Sequence, residues 1–315
     1  MVNNVFMAKE IEIAPMLDLT DKYFRFFLRQ ICRRALLYTE MIAEQALCFG
    51  DYKKLLSFQT EESPLVLQLG GSHPDMMAQA AQMGEDFGYT AININAGCPS
   101  DRVRMGDFGA CLMAQPEKVA ECVVQMKKQT KLDITVKTRL ALDDRKDVEQ
   151  ALHRFVHILS LAGVNKFIIH ARVARLSMSP ARNRTLPLHY DYVYRLKQAF
   201  PQLNIVINGN ITSMEDIQEH LKHTDGVMIG RWAYTQPYSL KDTDALFYGD
   251  KHPCPSREEV AHMMLDYVRQ QAEPNRVMRH MMGLYFATPY ARKWRSALTT
   301  KDPAAIEDFL RQLDT

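Results

Sequence analysis

The chain reads as an α/β protein, a (β/α)8 barrel followed by a small carboxyl-terminal helical bundle, and three observations predict this. Short β-rich apolar runs recur eight times with amphipathic segments between them, which is the strand-then-helix rhythm of a closed parallel barrel. No G-x-G-x-x-G follows the first run, so the fingerprint of the open, doubly wound alternative is missing. Beyond about Leu246 the strand rhythm stops and helical patterns take over.

The eight runs are Ile11 to Met16, Leu36 to Met41, Pro64 to Leu69, Ala91 to Asn95, Ile134 to Leu140, Lys166 to Ala171, Ile205 to Asn208 and Gly226 to Ile229. Amphipathic segments between them include Asp75 to Phe87, Pro116 to Thr130, Val148 to Ala162 and Ser213 to Leu221, each with apolar residues at helical spacing. A boundary at Pro253, Pro255 and Ser256, with SREE as a capping-box pattern, opens the helical part. Segments Arg257 to Gln271, Asn275 to Ala287, Tyr290 to Leu298 and Pro303 to Leu313 suit four helices, giving an expected barrel over 1–245 and a helical domain over 246–315.

Composition bounds the function. The 315 residues, 47% hydrophobic and 24% charged, can bury a large core, and a net charge of +2 does not by itself mark a polyanion binder. Six cysteines show no C-x-x-C pair and no histidine at zinc-ligand spacing, so a structural metal is not expected and a reducing cytoplasm is. The stretch MVNNVFMAKE lacks the pattern of an export signal, no run approaches the ~18 apolar residues of a membrane span, and Met7 is as acceptable a start as Met1.

In a barrel, chemistry gathers where the strands end. The stretch AININAGCPSD ends a buried run in a tight turn: Gly97 permits close backbone approach, Pro99 stops the strand, and Cys98 is held at its carboxyl end. A thiol there is able to give up one proton, or it is simply a small buried apolar side chain. Other runs end in Pro15 and Met16, in Thr39 and Glu40, in Gln68, in Lys137 and Arg139, in His170 and Arg172, in Asn208, Gly209 and Asn210, and in Gly230 and Arg231. Each alone has an ordinary structural role open to it; their shared placement points to a site. Lys137, inside the apolar run ITVKTRL, needs an acceptor or an anion to face it. The turns NGN and GRWAY have the small residues and the cation of a phosphate site. With Gln68 and Lys137 for the polar edge of a flat ring and Pro15 and Met16 for its face, they outline a flavin mononucleotide (FMN) pocket.

Two stretches stand out for lacking acids. Ala171 to Tyr190 carries Arg172, Arg175, Arg182 and Arg184; Arg276 to Lys301 carries Arg276, Arg279, Arg292, Lys293, Arg295 and Lys301. They read either as solvated faces or as phosphate contacts, with Tyr285, Phe286, Tyr290 and Trp294 as stacking or packing surface.

The motifs APMLDLTD (14–21), LLYTEM (36–41), LQLGGSHP (67–74), NAGCPSDRV (95–103), MGDFGACLM (105–113), VKTR (136–139), FIIHAR (167–172), INGN (207–210) and GVMIGRWAY (226–234) span nearly the whole chain. On them it resembles the bacterial tRNA-dihydrouridine synthases of the A subfamily. The resemblance implies an FMN-bearing barrel that reduces uridine to dihydrouridine in the tRNA D-loop with NADPH, at positions 20 and 20a. It implies that Pro15, Met16, Gln68, Lys137, His170, Asn208, Gly209, Asn210, Gly230 and Arg231 hold FMN, that Cys98 is the proton donor, and that Asn95, Arg184, Arg292 and Arg295 meet tRNA. Arg175 and Arg182 join these from the basic loop, which with the helical domain would grip the D-loop and elbow of a flipped-out substrate. Asn210 stands where the family usually has glycine, and Gln236 where it often has Asn. Cys111 is expected only to pack.

Three rivals remain at this point: a flavin barrel acting on free pyrimidines, an aldolase-like barrel with Lys137 as Schiff-base lysine, and a tRNA-binding factor without catalysis. A yellow protein excludes the second, and dihydrouridine formation excludes the third. The chain is expected to work as a monomer.

Overall fold

The computed structural model describes residues 9–100, 106–143 and 147–313. Nine parallel strands are found among them: β1 (Glu10–Ile13), β2 (Leu37–Tyr38), β3 (Ile42–Ala43), β4 (Leu65–Gly70), β5 (Ala91–Ala96), β6 (Ile134–Arg139), β7 (Lys166–His170), β8 (Asn204–Asn208) and β9 (Gly226–Ile229). They pair in the order β1-β9-β8-β7-β6-β5-β4-β2, with β3 added beside β4. The ring closes between β1 and β2, where Ile13 N–H donates to Leu36 O and Leu36 N–H to Ile11 O, each at 2.9 Å. The eight expected runs are the barrel strands, and a TIM barrel is the fold. The short β3, which follows Met41 directly, was not expected; the second run splits because the chain turns at Thr39 to Met41 into the cleft described below.

Alternation along each strand divides outside from inside. Ile11 and Ile13 face the helical shell and belong to its continuous core, whereas Ala14, Tyr38, Val66, Ile168, Val206 and Met228 form a separate buried cluster that fills the barrel interior. Below it, fully buried Glu12 accepts from Tyr38 Oη at 3.0 Å and pairs with Lys166 Nζ at 2.5 Å. The pair is needed because burial pushes the Glu12 carboxyl up, against the downward pull of Lys166.

Helices Pro74–Asp86, Pro116–Gln129, Val148–Leu161 and Met214–His220 stand close to the segments expected from periodicity. The helix Thr243–Tyr248 runs across the expected boundary at 245 and stays with the barrel: Tyr248 Oη accepts from Ile11 N–H at 2.9 Å, and Asp244 accepts from the N–H groups of Arg33 and Arg34.

The helical region comprises Arg257–Gln270, Pro274–Met278, Ala291–Thr299 and Pro303–Arg311. The expected helix from Asn275 to Ala287 is instead a short α-helix followed by a 3-10 turn, Arg279–Gly283. Gly283 presses on the barrel side so closely that a Cβ there would lie 2.4 Å from Thr235 O. Of the two roles open to Tyr285 and Trp294, stacking or packing surface, the structure has packing: both are buried, and both pack on Phe309 with ring centroids 5.1 Å apart.

Candidate active site

The strand ends open into one cleft of about 1530 Å3. Every residue expected to hold the ring or supply the acid lines it: Pro15, Met16, Gln68, Cys98, Lys137, His170, Asn208, Gly209, Asn210, Gly230 and Arg231. Strand register explains this. Cα partners across the sheet include Asn95 with Lys137 in one row and Arg139 with His170 and His170 with Asn208 in the next, so the last two inward rows of the strands face the cleft.

The turn carrying Cys98 is fixed on several sides. Asn95 Oδ1 accepts the N–H groups of both Gly97 and Cys98 at 3.0 Å, and its amide nitrogen donates to Gln68 Oε1 at 3.0 Å. Cys98 O accepts from Ala110 N–H at 2.9 Å, while Arg139 Nε donates to Gly97 O at 2.9 Å. The Cys98 thiol lies 3.4 Å from Ser100 Oγ and is partly exposed to the cleft. Cys111 is not part of that lining; its thiol contacts Phe108 O at 3.0 Å, and burial, then Asp107, push it up.

Gln68 Nε2 donates to Asn93 Oδ1 at 2.8 Å, so both ends of its amide are held by asparagines of β5. One N–H and one lone pair remain for a ligand edge. Lys137 Nζ donates to Asn208 Oδ1 at 3.3 Å, and Asn208 Nδ2 donates to Met228 O at 2.7 Å. Burial, then the charge of Arg139, brings the Lys137 ammonium down to about 8. Burial also brings Arg139 down to about 10 and His170 well below its ordinary value, the latter with help from Arg139, Lys137, Arg172 and Arg231. Cations crowd this wall, and a cation lowered in this way is one that an anionic ligand would stabilise.

Backbone geometry suits a close ligand here. Gly209 has φ +138, and a Cβ would strike Leu188 at 2.6 Å; a Cβ on Gly230 would meet nothing nearer than 3.9 Å, which leaves its cleft side open. Asn210 stands at φ +49, in the left-handed region that Asn tolerates best after glycine. That accounts for Asn at this position.

The model of the dihydrouridine synthase (Dus) family matches residues 12–311. The chain belongs to the dihydrouridine synthase family. Relatives agree: the tRNA-dihydrouridine(20/20a) synthase of Synechocystis sp. is 48% identical over 92% of this chain and 88% of its own. That of Shewanella oneidensis is 46% identical over 97% and 94%, and that of Escherichia coli 44% over 98% and 94%. Among solved structures, morphinone reductase in complex with tetrahydroNAD superposes with a TM-score of 0.52 at 12% identity, over 74% of this chain and 85% of that one. A 2-naphthoyl-CoA reductase complex gives 0.58 at 11%, over 78% and 51%. At such identities the likeness is one of fold.

In this family member the expected RNA-contacting residues are distributed unevenly. Asn95 and Arg184 line the cleft; Arg175, Arg182, Arg292 and Arg295 do not. Arg182 and Arg184 are exposed on a loop organised by buried Asn183, whose amide nitrogen donates to Arg175 O at 2.8 Å and Met178 O at 2.9 Å while its oxygen accepts from Arg175 N–H at 2.8 Å. Arg292 and Arg295 are exposed beside buried Trp294. The motif residues 101–105 lie outside the described residues.

Two cations of the acid-free carboxyl-terminal stretch are already paired. Arg279 Nη2 lies 3.1 Å and Arg276 Nη2 3.7 Å from the carboxylate of Asp21, which comes from the barrel. Arg139 and Arg172 also line the cleft; both are visible in the sequence as cations at strand ends, Arg172 with phosphate contact as one of its two readings and Arg139 with no role of its own. No helix is long and apolar enough to cross a membrane, and no metal-binding cluster occurs, among the described residues.

Proposed function

We propose that this protein reduces uridine to 5,6-dihydrouridine in the D-loop of tRNA, at positions 20 and 20a, with FMN as its bound group and NADPH as reductant. The observation that carries the reading is the meeting of Cys98 with Lys137, His170 and Asn208 in one cleft. The cleft residues fit a flavin phosphate and ring: buried cations lowered by their neighbours, a glycine left open at 230, and a volume above the ~300–1,000 Å3 typical of a single small ligand. The positions 20 and 20a follow the names of the relatives.

When bound, reduced FMN supplies the hydride that goes to C6 of the uracil. The chain's residues do the rest. Gln68 and Lys137 would meet the polar edge of the ring, with Lys137 offsetting negative charge there; Pro15 and Met16 would cover a face; Asn208, Gly209, Asn210, Gly230 and Arg231, with His170, would take the phosphate side. Cys98 gives its proton to C5 of the base, completing addition of H2 across the C5–C6 bond. Asn95 keeps that thiol on its turn, with one N–H left for the base. A uridine reaches the cleft only by leaving its stack, so Arg175, Arg182 and Arg184 on one side and Arg292 and Arg295 on the other would hold backbone phosphates at the D-loop and elbow.

Such an enzyme works on tRNA as a monomer in the cytoplasm, in keeping with six free cysteines. The barrel through Tyr248 would be the catalytic domain and the helices after it the tRNA-binding domain. The test is to map dihydrouridine in tRNA from cells with and without the gene and to restore it with purified yellow protein, NADPH and transcript. Loss and recovery at positions 20 and 20a is the expected result; no change, or a colourless protein that takes up no flavin, overturns the reading.

A further inference from the structure

Arg139 received no role from the sequence and none from the chemistry above, yet it occupies the junction of two functional segments. It ends β6, is buried, and points both ways: Nε donates to Gly97 O at 2.9 Å in the turn that carries Cys98, and Nη1 reaches Val173 O at 3.4 Å, where the basic loop begins. The β6 extension is already laddered to that loop, through Leu140 N–H to Arg172 O at 3.1 Å and Ala174 N–H to Ala141 O at 2.8 Å. On the other side, a Cβ on Gly97 would lie 3.2 Å from the Thr138 backbone, so the Cys98 turn rests directly on β6.

A guanidinium suits this post because it is planar and carries five N–H donors in a fixed fork, so that separate nitrogens reach two carbonyls; an ammonium presents its donors from a single atom on a flexible stem. Burying a cation whose hydrogen-bond partners among the described residues are carbonyl oxygens is costly, and nearby Arg172 adds repulsion. Its presence here calls for a role other than stability.

We propose that Arg139 is a positioning residue that locks the Cys98 turn to the arginine-bearing loop, so that the thiol is aimed where that loop seats the nucleotide. The proposal rests on the reading of Cys98 as proton donor. Arg139 acts through Cys98 and the loop.

The test compares wild type, Arg139→Lys and Arg139→Gln as holoenzymes. Hydrogen exchange is followed over segments 95–100 and 172–186, and dihydrouridine formation by pre-reduced enzyme is timed in a single turnover at saturating transcript. Exchange should rise in both segments together, and turnover should fall by about ten- to a hundredfold, the scale of a misplacement of about 1 Å. Reduction of bound flavin by NADPH should change less than about twofold in Arg139→Lys, which keeps the positive charge beside Lys137. In a Cys98→Ala background, Arg139→Lys should add less than about twofold to the loss, because the residue it aims is gone. Exchange that rises in one segment only, or a full multiplicative loss on top of Cys98→Ala, overturns the proposal. A wild type that forms no dihydrouridine would sink the functional reading instead, and the exchange comparison would still decide whether the bridge exists.

Discussion

His280, fully buried in the helical region, places Nε2 2.9 Å from the carboxylate of Asp21, which also caps the helix Lys22–Arg29 by accepting from Tyr23 and Phe24 N–H. One side chain thus starts the barrel's first helix and ties the helical region to it. Burial alone would raise this carboxyl, but the hydrogen bond and charge of His280, the amide of Phe24 and the charge of Arg279 hold it below its ordinary value.

Asp21→Asn separates cap from charge, because asparagine caps as well as aspartate. The variant is expected to lose about 1.5–3 kcal/mol at pH 7, the scale of a buried hydrogen bond to a charged group, since the half-exposed Arg276 and Arg279 add little. A lowered carboxyl contributes its full stability above the ordinary value of 3.8 and loses it as pH falls through the lower folded-state value. Urea titrations of both proteins between pH 3 and 7 should therefore converge at the acid end.

Cys98→Ala is expected to lose most uridine reduction while keeping flavin content and flavin reduction by NADPH. Cys111→Ala should keep activity within about threefold, since that thiol only packs against Phe108. Steady-state rates on transcript check both, and the reverse outcome would move the acid to Cys111.

Lys137 gives a pH signature. In the folded, flavin-free protein its ammonium sits at about 8 against an ordinary 10.5, so between these values the unfolded chain holds more protons. Its destabilising effect is complete below pH 8 and is relieved as pH rises toward 10.5. Lys137→Met should accordingly raise the stability of flavin-free protein at pH 7, with the gap closing by about pH 10.5, and should weaken flavin retention measured by absorbance after dialysis. A variant that is less stable at every pH would contradict this.

Arg184 lines the cleft while Arg292 and Arg295, on the helix Ala291–Thr299, do not. If each holds a phosphate, replacing it with alanine should weaken tRNA binding and flatten the plot of log affinity against log salt by roughly 0.7–0.9 per lost contact. Arg184→Ala should in addition slow uridine reduction at saturating tRNA, whereas Arg292→Ala and Arg295→Ala should affect binding alone. Filter binding across a salt series, beside single-turnover rates, separates the two classes.

What the amino-acid order determined by itself was local and periodic. Alternating apolar runs set the strands, Gly97 and Pro99 set the turn that presents Cys98, and parallel register then carried Gln68, Lys137, His170 and Asn208 to one end of the barrel. Because the strand period is two, a residue's face and height follow from its place in the run. What only the tertiary structure decided was pairing at long sequence separation. Arg276 and Arg279 of the carboxyl-terminal stretch read as lying in an acid-free run until Asp21 arrived from the barrel, Trp294 read as stacking or packing surface until Phe309 covered it, and Arg139 read as one more cation until it was seen between Gly97 and Val173. Such contacts are made by closing loops of tens to hundreds of residues, and no pattern within a window of the chain specifies which distant group will be there to meet a given charge.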